Sequence, residues 1–415
     1  MPRVDAPFRF WGPGHNTTTN GPSQRRVCGG PYGAFGKSRR FVQRLRVGFF
    51  TECYRPIING VVASIDAFRD GIAAEGHHVV CIAPGFPSYE DEAGAVVRLP
   101  SLPLPTTTGY RLCVPFVSSA ARAEIGALSI VHTHSPFVTG WLGERFARRH
   151  GIPHVFTYHT RLEQYAHYVP FDRSLTERAA VELTRTYANR ADAVVVPTPA
   201  MEARLRSLGV SARIAIVPSA VDTDRFAAGR RQAGIRSELG CAGDERLVLC
   251  VARLAREKNI GLALEALANV SDPRMRLAVV GGGPEGDRLL HEARRLGIAA
   301  RVRFLGNVEP GRLPDIYASA DAFVFTSVSE TQGLVLAEAL AAGLPVVAVD
   351  APVSRDVLDG AGILAAPRAA AVARAIESVF DDRRSAKHLA PQRYTVRSQA
   401  RRMLELYGEL VAAVA

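Results

Sequence analysis

The sequence predicts an α/β protein of two Rossmann-like, doubly wound domains facing each other across a cleft. Three observations carry this expectation. At 415 residues the chain is long for a single doubly wound core. Short β-branched runs alternate with segments of helical period, as parallel βαβ units require. The alternation comes in two consecutive series, and two such sheets leave a cleft at the carboxyl ends of their strands, where doubly wound sheets bind ligands. Hydrophobic residues at 47% and charged residues at 22% fit an ordinary globular composition.

The first series opens with LRVGFF (45–50), followed by a helix over 61–74 and the strand HVVCIAP (78–84). It continues through SIVHTH (129–134), a helix near 138–149, HVFTYH (154–159), an Arg-rich helix near 174–190 and AVVVP (193–197), and ends near IAIVPSAVD (214–222). The second series runs through RLVLCVARL (246–254), RLAVVGGGPEG (276–286), VRFLGN (302–307), AFVFTS (322–327) and PVVAVD (345–350), each strand trailed by a helical pattern. An amphipathic segment at 396–413 closes the chain. The expected division is a basic leader at 1–45, a first domain at 46–220, a second at 221–390, and a terminal helix within 391–415 that packs back on the first domain.

The formal charge of +11 is concentrated at the start: residues 1–46 hold nine Arg or Lys and a single acid, Asp5. This stretch, rich in Gly, Pro, Ser and Arg, lacks the apolar surface to fold, so it is expected to be disordered, and its charge suits an anionic membrane surface. It has no aromatic platforms at regular spacing, which argues against nucleic acid as a partner. Neither an apolar secretory core nor an amphipathic import pattern is found. The six cysteines form no C-x-x-C pair and mostly sit in apolar strand-like runs, which fits the reducing cytoplasm. The richest apolar stretch, 334–349, is broken by Glu338 and Gly343-Leu344-Pro345, so no spanning helix is expected. A cytoplasmic protein, peripheral at the inner face of the plasma membrane, is the resulting expectation.

The most informative motif is Ser329-Glu330-Thr331-Gln332-Gly333-Leu334, continuing through Glu338 to Pro345. Glu330 follows the strand at 322–327. Gly333 allows close backbone approach where the next helix presents free N–H groups to an anion. Glu338, amid VLAEALAA, has too apolar a setting for a plain surface residue. The E-x7-E spacing followed by AAGLPVVA resembles family-four glycosyltransferases of the GT-B fold, over residues 46 to about 380. The resemblance implies that Glu330 holds donor sugar hydroxyls and Glu338 the ribose, since a carboxylate accepts from two hydroxyls.

Further segments match the same family. Val251-Ala252-Arg253-Leu254 through Lys258-Asn259 is similar to its strand-to-helix loop, with Ala252 in place of the usual glycine; the resemblance implies that Arg253 and Lys258 grip the diphosphate. Fixed cations there stabilise the charge that develops on the leaving group, without a metal. Gly281-Gly282-Gly283 and the Asn59-Gly60 loop match donor-side positions. Asp222-Thr223-Asp224 mimics a metal-binding D-x-D, but it lies in the segment between domains and short acids in a turn are commonly caps. His132 and His134 end one strand on the same face, so periodicity cannot choose between them; the resemblance places one histidine beside the reacting sugar, and His134 is favoured.

The run Tyr158-His159-Thr160-Arg161 to Tyr165 resembles the acceptor side of the branch that glycosylates diacylglycerol and related lipids. The implied protein is a retaining, metal-independent hexosyltransferase with no cofactor. Glu330, His134, Arg253 and Lys258 form its catalytic set. Asn59, Gly60, Gly282, Gly283, Gln332, Gly333, Leu334 and Glu338 form the nucleotide-sugar side, and Tyr158, His159, Arg161 and Tyr165 the acceptor side. UDP-glucose is the favoured donor and GDP-mannose the alternative, with a lipid or carbohydrate acceptor. A sugar-nucleotide 2-epimerase and a non-catalytic sugar-nucleotide sensor are the rivals from other classes.

Overall fold

Strands β1 (Arg46–Phe50), β2 (His78–Pro84), β3 (Val96–Leu99), β6 (Ile130–Thr133), β7 (His154–Thr157), β8 (Ala193–Val196) and β9 (Ile214–Ile216) form a first sheet; β4 (Ser101–Pro103) and β5 (Arg111–Cys113) pair beside it as an antiparallel hairpin. A second sheet contains β10 (Arg246–Val251), β11 (Met275–Val280), β12 (Val302–Gly306), β13 (Ala322–Phe325), β14 (Val346–Val349) and β15 (Ile363–Ala365). The structure, a computed structural model, describes residues 44–414 apart from 58, 92–95, 105–109, 165–171 and 382–391. The basic leader and Tyr165 therefore lie outside the described residues.

Both sheets are parallel throughout. Their strand orders are β3-β2-β1-β6-β7-β8-β9 and β12-β11-β10-β13-β14-β15. In each the order reverses once, between β1 and β6 and between β10 and β13. At such a switch point the flanking loops leave in opposite directions and open a crevice at the strands' carboxyl ends. The segments picked out in the sequence occupy these four loops: 51–60 after β1, His134 after β6, 252–259 after β10 and 326–333 after β13.

Near-continuous apolar strands, such as RLVLCV in β10 and MRLAVV in β11, are covered by helices on both faces, which is why they read as runs without alternation. The last helix, Val396–Val414, lies against the Gly60–Ala74 helix of the first half. Gly71 permits that approach, since a Cβ there would come within 2.9 Å of Ala400 Cβ. Met403, Leu406 and Tyr407 from this helix join the core behind β1 and β2. Among the described residues no helix is long and apolar enough to cross a membrane.

The sequence reading placed no element between 84 and 129, where β3, β4, β5 and a short helix at Ser119–Gly126 are found. It missed them because strands of three or four residues give too few alternations to register. Asp222 of the D-x-D look-alike is an N-cap: its carboxylate accepts from Arg225 N–H at 3.1 Å, opening the turn Thr223–Ala227.

Candidate active site

On the second sheet, the loops after β10 and β13 are laced together by short hydroxyl side chains. Thr326 Oγ1 donates to the Lys258 carbonyl, and Ser327 and Ser329 Oγ both donate to the Glu257 carbonyl. Asn259 closes the turn Arg256–Lys258 in the left-handed region, at φ 52°, a conformation Asn tolerates better than most residues. This lacing sets Lys258 Nζ 2.6 Å from Glu330 Oε1, both partly buried. Arg253 lies on the same rim, half exposed, with its guanidinium 2.5 Å from Glu257.

Glu330 does not cap the following helix. Gly333, at φ 72°, stands at the cap of Leu334–Ala341 and contributes no side chain, so the first N–H groups of that helix remain open. A Cβ at Gly333 would also meet Phe325 at 3.1 Å. Glu338, one helical face further in, is partly buried and accepts a 2.7 Å hydrogen bond from Tyr317 Oη. Burial raises its carboxyl above the usual range, and the tyrosine hydroxyl offsets part of that rise.

The glycines of 281–283 act on backbone spacing. A Cβ on Gly281 would lie 2.1 Å from the Ala252 carbonyl oxygen, and one on Gly283 2.4 Å from that of Leu254. Leu254 N–H bonds to the Gly282 carbonyl, and Gly282 N–H to Asn307 Oδ1. Gly281 and Gly283 thus let the Arg253 loop lie close to its neighbour, and Gly282 holds it through Leu254 and Asn307.

The Gln332 side chain is committed within the protein. It is 3% exposed and spends its amide on one residue of the interdomain segment: Oε1 accepts from Ser219 N–H at 2.7 Å and Nε2 donates to the Ser219 carbonyl at 2.8 Å. Thr331 reaches across as well. Its Oγ1 donates to the His159 carbonyl, and its own carbonyl accepts from Thr198 Oγ1. The loop that carries Glu330 is thus fastened to the first half at His159 and Thr198 and to the interdomain segment at Ser219. Sequence reasoning missed Thr331, Thr198 and Ser219 because their partners lie more than a hundred residues away.

On the first sheet, Asn59 caps the Gly60–Ala74 helix by accepting from Val62 N–H, which leaves its amide nitrogen to donate toward Cys53 Sγ and Tyr110 Oη. Gly60 then faces the second half: a Cβ there would stand 3.8 Å from Leu334 Cδ1. Gly60 and Leu334, the openings of one helix from each half, therefore meet across the cleft.

The two histidines separate clearly in their partners. His132 is fully buried with both ring nitrogens engaged, Nδ1 with Tyr407 Oη at 2.6 Å and Nε2 with Thr157 Oγ1 at 2.5 Å. His134 stacks on it, with ring centroids 4.3 Å apart, and its Nδ1 meets His159 Nε2 at 2.8 Å. His134 Nε2 is buried and finds no hydrogen-bond partner among the described residues. His134 lines a cavity of about 50 Å³, together with Pro136, Phe137, Tyr158 and His159. Burial lowers the pKa of all three rings, so each is neutral near pH 7: His132 and His134 fall well below the usual value and His159 to about 4.

Tyr158 belongs to the core, 1% exposed, and Arg161 is paired with Glu163, which Arg204 also binds. Of the residues expected on the acceptor side, His159 alone is tied to the stacked histidines.

Two family models match the chain, "Glycosyltransferase Family 4" over residues 58–225 and "Glycosyl transferases group 1" over 232–396. An alpha-monoglucosyldiacylglycerol synthase of Acholeplasma laidlawii is 31% identical over 73% of this chain and 80% of its own length. A GDP-mannose-dependent alpha-mannosyltransferase of Mycobacterium tuberculosis is 32% identical over 76% of this chain and 81% of its own. Among solved structures, sucrose-phosphate synthase of Thermosynechococcus elongatus has a TM-score of 0.69 at 22% identity, covering 89% of this chain and all of that one. HepE of Anabaena, solved with UDP-glucose, has a TM-score of 0.69 at 20% identity over 88% of this chain and all of its own. These two likenesses concern the fold.

Proposed function

This chain belongs to the family-four glycosyltransferases of the GT-B fold, and on that premise we propose that it moves glucose from UDP-glucose to a hydroxyl of a membrane lipid such as diacylglycerol, with retention and without a metal. The observation that carries the reading is the Lys258–Glu330 pair at the second sheet's switch point, beside Arg253 and the open N-terminus of Leu334–Ala341. The second half takes the donor and the first half the acceptor.

Lys258 gives one of its three N–H donors to Glu330 and keeps two for phosphate oxygens, while Glu330 keeps acceptor positions for sugar hydroxyls. As the bond to the sugar breaks, negative charge grows on the diphosphate; Lys258, Arg253 and the open helix N–H groups bind that charge more strongly than they bind the intact donor. A phosphate oxygen of the departing diphosphate takes the acceptor hydroxyl's proton, and that hydroxyl attacks from the same face. His134, neutral and with Nε2 free, orients the sugar from the other side of the cleft. Glu338 receives the ribose. The cytoplasmic face of the plasma membrane is where such an enzyme would meet its lipid.

The mannosyltransferase relatives favour a second reading, GDP-mannose as donor. Both are tested by offering each nucleotide sugar separately in EDTA, with and without diacylglycerol in anionic vesicles, and by reading the anomeric configuration of the product. Lipid-dependent release of UDP with an α-linked product supports the first reading, and release of GDP alone supports the second. Conversion of donor without any acceptor means an epimerase, and binding without turnover a sensor. A β-linked product, or activity lost in EDTA and restored by a divalent ion, overturns the mechanism.

A further inference from the structure

Glu338 stands in the helix Leu334–Ala341 between Ala337 and Ala339, both fully buried, and its carboxylate has one hydrogen-bond partner among the described residues. That partner is Tyr317 Oη, which donates to Oε2 at 2.7 Å and leaves Oε1 open. Tyr317 is held by the scaffold. Its ring, wholly buried, stacks on Phe323 of β13 with centroids 5.6 Å apart and meets Phe226 edge-on at 5.3 Å. Its helix, Leu313–Ser319, is pinned to the segment that follows Phe226: Asp315 accepts from Arg230 N–H at 2.8 Å and from Gln232 Nε2 at 2.7 Å, and Ser319 Oγ accepts from Gln232 N–H. Gly229 lies so close that a Cβ there would come within 2.3 Å of the Pro314 carbonyl oxygen. The phenol is therefore a fixed point, to which the rotamer-rich glutamate conforms.

A buried hydroxyl needs an acceptor, but a backbone carbonyl would serve at far smaller cost than a carboxylate, whose desolvation is the more expensive. Burial raises the Glu338 carboxyl, while the tyrosine bond and the charge of Arg225 both favour its ionised form. A carboxylate with one oxygen engaged and the other open, set in an apolar helix, is suited to hydroxyl donors that come from outside the chain.

We infer that Tyr317 is a positioning residue for the donor: by holding Oε2 it turns Oε1 toward the nucleotide's ribose and makes the site select a ribonucleotide over one that lacks the ribose hydroxyls. The inference rests on the reading that gives the ribose to Glu338, and adds to it a residue that itself touches no substrate. With the hydroxyl removed, Glu338 is free among several rotamers and its orientation must be fixed at the moment of binding. That weakens the grip on the ribose and leaves Lys258 and Arg253 as they are.

The test is the nucleotide affinity of the full chain, by titration calorimetry with UDP and 2′,3′-dideoxy-UDP, and with GDP and its dideoxy counterpart. Four proteins are compared: wild type, Tyr317→Phe, Glu338→Ala and the double variant. The wild type should bind one ribonucleotide about a hundredfold more tightly than its dideoxy form. Tyr317→Phe, which keeps the ring and its packing, should lose about tenfold for the ribonucleotide and less than about twofold for the dideoxy form. Added to Glu338→Ala, it should change neither, because it acts through that carboxylate. A tyrosine that served the fold alone would weaken both nucleotides equally. Equal weakening, wild-type discrimination in Tyr317→Phe, or a further loss in the Glu338→Ala background each overturns the inference and leaves Glu338 with the ribose. A wild type that binds the dideoxy form as tightly as the ribonucleotide sinks the reading of Glu338 itself, and one that binds neither UDP nor GDP sinks the donor assignment.

Discussion

The two halves share an architecture and solve opposite electrostatic problems. In the second half, the groups at the switch point are ion pairs: Lys258 with Glu330, both partly buried, and half-exposed Arg253 with Glu257 on the rim. In the first half they are neutral and enclosed: His132, His134 and His159 stacked on one another, with His154 buried nearby against Thr133. The difference follows from what each side must do. A diphosphate needs fixed charge at the moment its own charge grows. A sugar being transferred needs oriented hydrogen-bond partners and the exclusion of water, which neutral rings in a small cavity provide.

The sharpest break in that comparison is at Glu330. Glu330→Ala is expected to lower turnover about a thousandfold, the range seen when a preorganised polar group is removed from a reacting centre. The melting temperature should stay within a few degrees, because the residue is partly exposed and does not cap the helix. Lys258→Ala should lose nearly as much, and the double variant little more than either single one, because the two act as a unit. Steady-state kinetics on all three, beside thermal melts, decide it; wild-type turnover in Glu330→Ala would remove the site from this loop.

Acid separates the halves next. Burial holds His154 and His159 at about 4, while the unfolded chain titrates near 6.5. As pH falls, the unfolded state binds these protons first. The stability that neutral burial provides is therefore whole above about 6.5 and is lost progressively down to about 4. Going from pH 7 to 5 costs on the order of 2 kcal/mol for each of the two, and His132 and His134 add in the same direction. The second half has one described histidine, His291, and it is exposed. Hydrogen exchange followed from pH 7 to 5 should show β6 and β7 losing protection before β10 and β11; equal loss in both sheets would contradict the account.

The stacked histidines give a finer contrast. His134→Ala should reduce kcat/KM by about tenfold to a hundredfold and cost about 1–2 kcal/mol of stability, because one ring nitrogen is unengaged and only His159 Nε2 loses its partner. His132→Ala should cost about 2–3 kcal/mol of stability instead, since it strands the buried Tyr407 Oη and Thr157 Oγ1. Denaturant unfolding beside kinetics separates the two outcomes, and interchanged effects would reverse the choice between these residues.

How far the sequence revealed these features depends on how local each one is. Glu330, Gly333 and Glu338 lie within nine residues on one strand-to-helix turn, and Arg253 to Lys258 on another, so spacing alone displays them. Both doubly wound sheets were legible for the same reason, as each βαβ unit repeats its own pattern. His132 and His134 could not be told apart, because what distinguishes them is Tyr407, 275 residues away on the last helix. The partner of the Gln332 amide, the backbone of Ser219, was illegible because it lies 113 residues away. The hairpin was invisible, since its strands of three residues give too few alternations to register.

Gln332 joins the two halves by an amide used at both ends on one backbone residue, and it gives the smallest of these effects and the most discriminating. Gln332→Ala leaves Ser219 N–H and its carbonyl buried without partners, which should cost about 2 kcal/mol in denaturant unfolding. Gln332→Leu, which keeps the volume, should cost about as much, because the loss lies in hydrogen bonding and not in packing. If the clasp holds the Glu330 loop in register with His159 through Thr331, both variants should also lower kcat, since the sugar would be gripped from one side alone. An unchanged kcat with the stability loss intact would mean that the two halves keep their alignment by Thr198 and Thr331 without it.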